Sequence, residues 1–147
     1  MVCLGNICRS PLAEGIMRQK IEENGLEWIV DSAGTSSWHI GQPPDRRSVE
    51  VAKKYGIDIR NQRGRQIHPG DLDDFDYIFA MDTSNYKDIL KLADSPEQKA
   101  KVKLILKETN SEEEQSIPDP YWDDEGFEHV YQLLQQACQK FIENNFK

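Results

Sequence analysis

Apolar residues along this chain of 147 residues follow two different spacings. In four segments they recur every three or four positions, which predicts helices over about 11–24, 45–56, 85–92 and 127–141. Short continuous apolar runs at 28–30, 77–81 and 102–106 predict strands. Because strands alternate with helices, we expect an α/β protein with a parallel sheet, whose ligands gather at the carboxyl ends of the strands.

The composition narrows the class of protein. A chain of this length is most simply one domain spanning residues 1–147. Its net charge of −8 disfavours a nucleic-acid-binding protein. The odd number of cysteines, three, and the lack of a secretory apolar segment indicate a reducing compartment, so we expect a cytoplasmic protein. No run is apolar enough to span a membrane. The three histidines share no ligand spacing with cysteines, so we expect neither a metal nor a cofactor.

The first loop of the chain carries the clearest chemistry. Five residues separate Cys3 from Arg9, and a predicted helix follows at once. Inward backbone N–H groups and the helix N-terminus favour an anion, and the same field favours a thiolate at Cys3. Arg9 offers a planar fork for two phosphate oxygens. Gly5 permits a close approach, Asn6 tolerates a left-handed turn, and Ser10 can cap the helix or donate to the sulfur. The segment therefore predicts a phosphate-binding loop around a sulfur nucleophile.

Cleavage of a phosphoester also requires a proton for the departing oxygen. Asp119 lies between two prolines in the segment Ile117-Pro118-Asp119-Pro120-Tyr121-Trp122, and it is our candidate for the general acid and, in a second step, for the base that activates water. The alternative is a proline-bounded turn in which this aspartate only caps the following segment. Tyr121 and Trp122 either line the mouth of a pocket for an aromatic leaving group or pack in the ordinary way.

The chain resembles the low-molecular-weight protein tyrosine phosphatases over nearly its whole length, and the residues described above are part of that resemblance. The resemblance implies a doubly wound four-stranded parallel sheet with helices on both faces, no metal, and hydrolysis of phosphotyrosine in proteins through a phosphocysteine intermediate. It rests on Val2-Cys3-Leu4-Gly5-Asn6-Ile7-Cys8-Arg9-Ser10-Pro11, Asp31-Ser32-Ala33-Gly34-Thr35, Trp38 with Gly41, Pro44-Asp45, Phe75-Asp76-Tyr77-Ile78, Met81-Asp82 and Asp119-Pro120-Tyr121.

The resemblance also implies a role for each matching residue. Cys3 is the expected nucleophile, Arg9 the phosphate clamp, Ser10 the hydroxyl that eases thiolate departure, and Asp119 the general acid. Cys8 matches a second cysteine that can form a reversible disulfide with the nucleophile. Phosphate, sulfate and vanadate are expected to compete with substrate. The expected phosphate-binding loop consists of Leu4, Gly5, Asn6, Ile7 and Cys8, and the expected pocket walls are Leu4, Trp38, Tyr121 and Trp122.

Two positions depart from the family pattern. Many relatives carry a histidine that braces the loop asparagine, and Gln62 stands at that place, either as a substitute brace or with the brace absent. In the family a longer apolar strand leads into the catalytic cysteine, whereas only Met1-Val2 precedes Cys3 here. We therefore expect a truncated first strand with exposed neighbours and a poorly anchored loop. Either the true start lies upstream of Met1, which we favour, or the fold tolerates the truncation at a cost in stability and activity.

Four alternatives remain open from the sequence. An arsenate reductase shares the fold but relays oxidation through further cysteines, and only Cys8 and Cys138 are available, the latter in a helical apolar stripe. In phosphoarginine phosphatases a threonine tends to stand where Ile7 does, so the apolar side chain favours tyrosine. A phosphocarrier would need neither Arg9 nor Asp119, and a phosphotyrosine-binding module would lack turnover. We expect a monomer or weak self-association.

Overall fold

A four-stranded parallel sheet forms the centre of the fold. The computed structural model describes residues 1–109 and 116–145. The strands lie in the order β2-β1-β3-β4, and β1 pairs through Val2 with Ala33 on one side and Ala80 on the other. From β1 the chain adds β2 on one side and then β3 and β4 on the other, so the strand order reverses at β1, and ligands of doubly wound sheets bind at such a point. The strands are β1 Val2–Cys3, β2 Ala33–Gly34, β3 Ile78–Ala80 and β4 Val102–Leu104.

Helices cover both faces of this sheet. Leu12 of α1 and Leu134 of α6 belong to one fully buried apolar cluster, and Leu72 of α3 and Ile89 of α4 belong to another. The predicted parallel sheet with helices on both faces is thus confirmed. The helices are α1 Arg9–Glu23, α2 Arg46–Lys54, α3 Asp71–Asp74, α4 Thr83–Leu90, α5 Pro96–Lys101 and α6 Gly126–Asn145, with a 3₁₀ segment at Ile105–Thr109. No helix in the described part of the chain is long and apolar enough to cross a bilayer.

The second predicted strand was misplaced. The apolar run at 28–30 is not a strand: Ile29 is 86% exposed, and the strand lies three residues further on, at Ala33–Gly34. The reason is the register of the sheet, since the N–H of Ala33 donates to the carbonyl of Met1 at 3.0 Å. The run at 102–106 is a strand only to Leu104, and the helices α3 and α5 were not predicted.

The first strand is short but paired on both sides. The N–H of Met81 donates to the carbonyl of Val2 at 3.0 Å, and the N–H of Thr35 donates to the carbonyl of Cys3 at 2.9 Å. The expectation of a poorly anchored loop is therefore wrong, because the neighbouring strands hold the loop at its first residues. The expected exposure of the neighbouring strands is also wrong, because Ala33 of β2 and Ile78, Phe79 and Ala80 of β3 are all buried.

Candidate active site

The loop between β1 and α1 surrounds the sulfur of Cys3. Asn6 has a φ of 58°, the left-handed conformation that its position in the turn requires, and its N–H donates to Cys3 Sγ at 3.3 Å. The hydroxyl of Ser10 lies 3.0 Å from the same sulfur. Ser10 does not cap α1, because the helix already begins at Arg9 and has no side-chain cap. The N–H of Asn6 and the hydroxyl of Ser10 thus both lie against Cys3 Sγ, at the N-terminal end of α1.

The side chain of Asn6 fixes the turn from the inside. Its amide nitrogen donates to Ser10 Oγ at 2.7 Å and to Ser32 Oγ at 3.0 Å, and its amide oxygen accepts from the backbone N–H of Arg65 at 3.0 Å. Gln62 is not the brace, because its amide donates instead to the carbonyl of Pro11 at 3.0 Å. Ser32 and Arg65 are therefore the bracing residues that the sequence interpretation missed.

The end of β2 packs directly against this loop. A methyl group on Gly34 would lie 2.8 Å from the carbonyl oxygen of Leu4 and 3.1 Å from the carbonyl carbon of Gly5. No side chain fits into that space without moving the loop backbone. Ser32 lies two residues before Gly34 and donates its hydroxyl proton to Glu14 at 2.7 Å. The motif at 31–35, noted in the sequence for its resemblance alone, is thus the support of the phosphate-binding loop.

Arg9 is buried, at 3% exposure, and is held at two points. Its Nη1 donates to Asp82 Oδ2 at 2.7 Å and to the carbonyl of Ile117 at 3.0 Å. Asp82 follows β3 and also caps α4, since its Oδ1 accepts from the N–H of Asn85 at 2.7 Å. Sequence reasoning missed this role of Asp82, although its place at the carboxyl end of a predicted strand was the available signal.

Asp119 lies at the mouth of the site. Its Oδ2 is 3.9 Å from Nη2 of Arg9, and its Oδ1 accepts from the N–H of Tyr121 at 3.1 Å. Its side chain is 46% exposed, so the carboxylate faces both solvent and the buried loop. A carboxyl group in that place can pass a proton to an oxygen that enters or leaves the site.

One cavity of about 330 Å³ joins these groups. All the predicted site residues line it except Asn6 and Ser10, which are buried and form the bracing contacts described above. His39 also lines it and was not predicted. The rim is strongly exposed at Trp38 (71%) and Trp122 (91%). The complete lining is Cys3, Leu4, Gly5, Ile7, Cys8, Arg9, Trp38, His39, Asp119, Tyr121 and Trp122.

The other two thiols differ from Cys3 in their surroundings. Burial, followed by the negative charge of Asp45, raises the pKa of Cys8 far above its usual range, so Cys8 is protonated at neutral pH. Burial raises the pKa of Cys138 to about 12, and this residue lies in the apolar core as its helical spacing predicted. Of the three thiols, only Cys3 combines an anion-binding loop with converging donors.

The arrangement is suited to substitution at phosphorus. The thiol of Cys3, the buried guanidinium of Arg9 and the half-exposed carboxyl group of Asp119 line one cavity. A thiol can attack phosphorus, and a guanidinium can bind two phosphate oxygens. Among the described residues, no group of three or more histidine, cysteine, aspartate or glutamate side chains is placed to hold a metal ion.

Comparisons with known proteins agree with this geometry. A family model described as "low molecular weight phosphotyrosine protein phosphatase" matches residues 1–146. The low molecular weight protein-tyrosine-phosphatase YfkJ of Bacillus subtilis is 40% identical over 143 residues, which are 96% of this chain and 90% of that protein. Its crystal structure matches with a TM-score of 0.90 and 38% identity, covering 99% of this chain and 94% of the other.

Two animal proteins are also similar. The low molecular weight phosphotyrosine protein phosphatase of Gallus gallus is 41% identical over 146 residues, which are 97% of this chain and 91% of that protein. The crystal structure of a Drosophila arginine phosphatase matches with a TM-score of 0.93 and 36% identity, covering 99% of this chain and 96% of the other.

Proposed function

Because the chain belongs to the low-molecular-weight phosphotyrosine protein phosphatase family, we propose that Cys3, Arg9 and Asp119 hydrolyse phosphotyrosine in proteins. The observation that carries this proposal is the meeting of the three side chains in one cavity of about 330 Å³. No single element supplies them, since Cys3 ends β1, Arg9 begins α1 and Asp119 lies in the segment before α6.

In the first step the thiolate of Cys3 attacks phosphorus. The S–P bond forms as the P–O bond to the tyrosine oxygen breaks, and Asp119 gives its proton to that oxygen. The guanidinium of Arg9 and the backbone N–H groups of the loop balance the charge on the three equatorial oxygens. Asp82 and the carbonyl of Ile117 hold the guanidinium in place, so the charge needs no reorientation during the step.

In the second step water cleaves the phosphocysteine. The ionised Asp119 takes a proton from the water as its oxygen attacks phosphorus, and the S–P bond breaks to release phosphate. The electron pair returns to Cys3 Sγ, where the hydroxyl of Ser10, 3.0 Å away, stabilises the departing thiolate. Asn6 holds that hydroxyl from the other side at 2.7 Å.

The walls of the cavity suit an aromatic ester. Leu4, Trp38, Tyr121 and Trp122 surround the entrance, so a phosphorylated ring can enter between apolar and aromatic faces while its phosphate reaches the loop. A second substrate, phosphoarginine, is suggested by the similarity to the Drosophila arginine phosphatase. The apolar side chain of Ile7 in the lining favours the tyrosine ester.

Cys8 is the proposed redox partner of the nucleophile. Both thiols are free and both line the same cavity. With hydrogen peroxide as the oxidant, Cys3 becomes a sulfenic acid with loss of water, and the thiol of Cys8 then displaces a second water to form the disulfide. If peroxide-treated, inactive protein keeps both thiols open to alkylation after unfolding, this role is wrong.

Activity assays on three substrates test the proposed function. Wild-type protein should hydrolyse phosphotyrosine peptide well and phosphoserine and phosphoarginine peptides poorly, with vanadate as a competitive inhibitor. Cys3→Ser should abolish turnover, and Asp119→Asn should lower kcat/KM on phosphotyrosine by about 10²-fold or more, since general acid catalysis contributes that much. Asp58→Asn, an exposed carboxylate outside the cavity, is the control and should match wild type. Turnover that survives Cys3→Ser would refute the mechanism.

A further inference from the structure

The segment that carries Asp119 is anchored firmly at its ends and weakly in between. At one end the N–H of Ile117 donates to the carbonyl of Met81 at 2.7 Å, and at the other Phe127 is buried in the core. The residues between are largely exposed, Trp122 at 91%. A general acid is effective only at a fixed distance from the leaving oxygen, so this segment needs a further support.

Arg47, in the first turn of α2, supplies that support. Its Nη1 donates to Asp124 Oδ1 at 2.5 Å. Among the hydrogen bonds between described residues, this is the one that joins residues 120–125 to a distant part of the chain. Its guanidinium carbon also lies over two rings, 4.6 Å from the centre of Phe127 and 5.6 Å from that of Tyr121. Tyr121 is in turn tied to the acid, because its backbone N–H donates to the carboxylate of Asp119 at 3.1 Å.

The other edge of the Arg47 fork leads to the phosphate-binding loop. Its Nε and Nη2 donate to the two carboxylate oxygens of Asp45, both at 3.0 Å. Asp45 in turn donates its backbone N–H to the carbonyl of Ile7 at 2.7 Å, and Ser48 donates its hydroxyl to the carbonyl of Cys8 at 3.0 Å. One guanidinium thus connects the loop that binds phosphate with the segment that carries the acid.

We propose that Arg47 is a positioning residue that fixes Asp119 over the phosphate-binding loop. It acts through Asp124 and Tyr121 and does not touch the reacting atoms. The role rests on the proposed function, because it concerns the proton that Asp119 delivers. A lysine cannot reproduce it, since one ammonium group lacks the planar fork that binds Asp45 at two points and Asp124 at a third.

A series of aryl phosphates with different leaving groups separates positioning from general stability. Phenolate is a poor leaving group and needs the proton of Asp119, whereas para-nitrophenolate departs with little help. Arg47→Met should therefore lower kcat/KM about tenfold on phenyl phosphate, a fraction of what a general acid contributes, and about twofold or less on para-nitrophenyl phosphate. Arg47→Lys should fall between wild type and Arg47→Met.

The chain offers a matched control at Arg60. Its side chain forms the same two-point contact with Asp58, two residues earlier, at 3.0 and 2.9 Å, but it is 74% exposed and lies outside the cavity. Arg60→Met should leave kcat/KM unchanged across the whole series. Asp124 is exposed, so its replacement should not prevent folding. Asp124→Asn should show a weaker form of the Arg47→Met pattern and is the variant to measure if Arg47→Met does not fold.

The outcomes separate this inference from the proposed function. An equal loss on every leaving group, or no difference between Arg47→Met and Arg60→Met, overturns the positioning role while wild-type turnover and the Cys3→Ser control still support the phosphatase. Absence of wild-type turnover on any aryl phosphate overturns both. A loss confined to poor leaving groups supports the role. The fall of kcat/KM at high pH, which reports loss of the proton from the general acid, must then be smaller in Arg47→Met than in wild type.

Discussion

Replacement of Asp82 by asparagine separates two tasks that this carboxylate performs. Its Oδ2 accepts a 2.7 Å hydrogen bond from the buried guanidinium of Arg9, and its Oδ1 caps α4 through the N–H of Asn85. Asparagine caps helices about as well as aspartate, but its amide nitrogen cannot accept a hydrogen bond from Arg9. Asp82→Asn therefore removes the charge pairing and keeps the cap, whereas Asp82→Ala removes both.

The magnitude follows from the burial of the pair. A hydrogen bond to a charged group contributes about 1.5–3 kcal/mol, and the 22% exposure of the Asp82 side chain favours the lower part of that range. Loss of a helix cap costs about 1 kcal/mol more. We expect the free energy of unfolding to fall by about 1.5–2 kcal/mol in Asp82→Asn and by about 2.5–3 kcal/mol in Asp82→Ala. At about 4 °C per kcal/mol for a domain of this size, Tm falls by about 6–8 and 10–12 °C.

Denaturant titrations followed by tryptophan fluorescence give the free energies, and kcat/KM on para-nitrophenyl phosphate gives the activity. Both variants should lose activity, because Arg9 loses one of the two hydrogen-bond acceptors that orient its fork. Ser95→Ala is the control. The Ser95 hydroxyl accepts from the N–H of Gln98 and so caps α5, but unlike the carboxylate of Asp82 it carries no charge. It should cost about 1 kcal/mol and leave kcat/KM unchanged. If Asp82→Asn is as stable and active as wild type, the orienting role of Asp82 is wrong.

Three further predictions concern other parts of the molecule. Hydrogen bonds from Lys54, Gln132 and Tyr55 lower the pKa of Glu128 from 4.5 to about 2, so the stabilisation by this carboxylate is present above pH 4.5 and is lost as the pH falls through 2. Tm of Glu128→Gln should therefore be below that of wild type at pH 7 and should approach it as the pH falls below 2. Iodoacetamide at pH 7 should modify Cys3 in the native protein, with phosphate protecting it, and spare Cys8 and Cys138, as peptide masses will record. Gly34→Ala should lower both Tm and phosphate affinity, because its methyl group would press on the loop backbone at 2.8 Å.

The chemistry of the site could be predicted because it depends on residue types and on a rule of topology. Cys3 and Arg9 are close in sequence, and the loop that leads from β1 into α1 places both in one cavity. Asp119 is distant in sequence, but the need for a proton donor and the proline-bounded segment indicated it. The strand at 28–30 could not be placed correctly, since an apolar run does not show which backbone groups find partners in the sheet.

The support of the site, in contrast, is composed of long-range contacts between ordinary residues. Asn6 meets Ser32 across 26 positions and the backbone of Arg65 across 59, while Arg9 meets Asp82 across 73 and Ile117 across 108. Each contact is a single hydrogen bond, and no local pattern predicts it.

These contacts also explain why a strand as short as β1 can hold the loop. The phosphate-binding loop is fixed laterally: the end of β2 packs beneath it, the start of α2 binds the carbonyls of Ile7 and Cys8, and the segments after β3 and before α6 hold Arg9. Since these supports come from several parts of the chain, the loop geometry depends on the whole sheet more than on the residues that lead into Cys3. Substitutions at Ser32, Asp45 or Asp82 should therefore affect catalysis, although none of these residues is proposed to take part in the reaction itself.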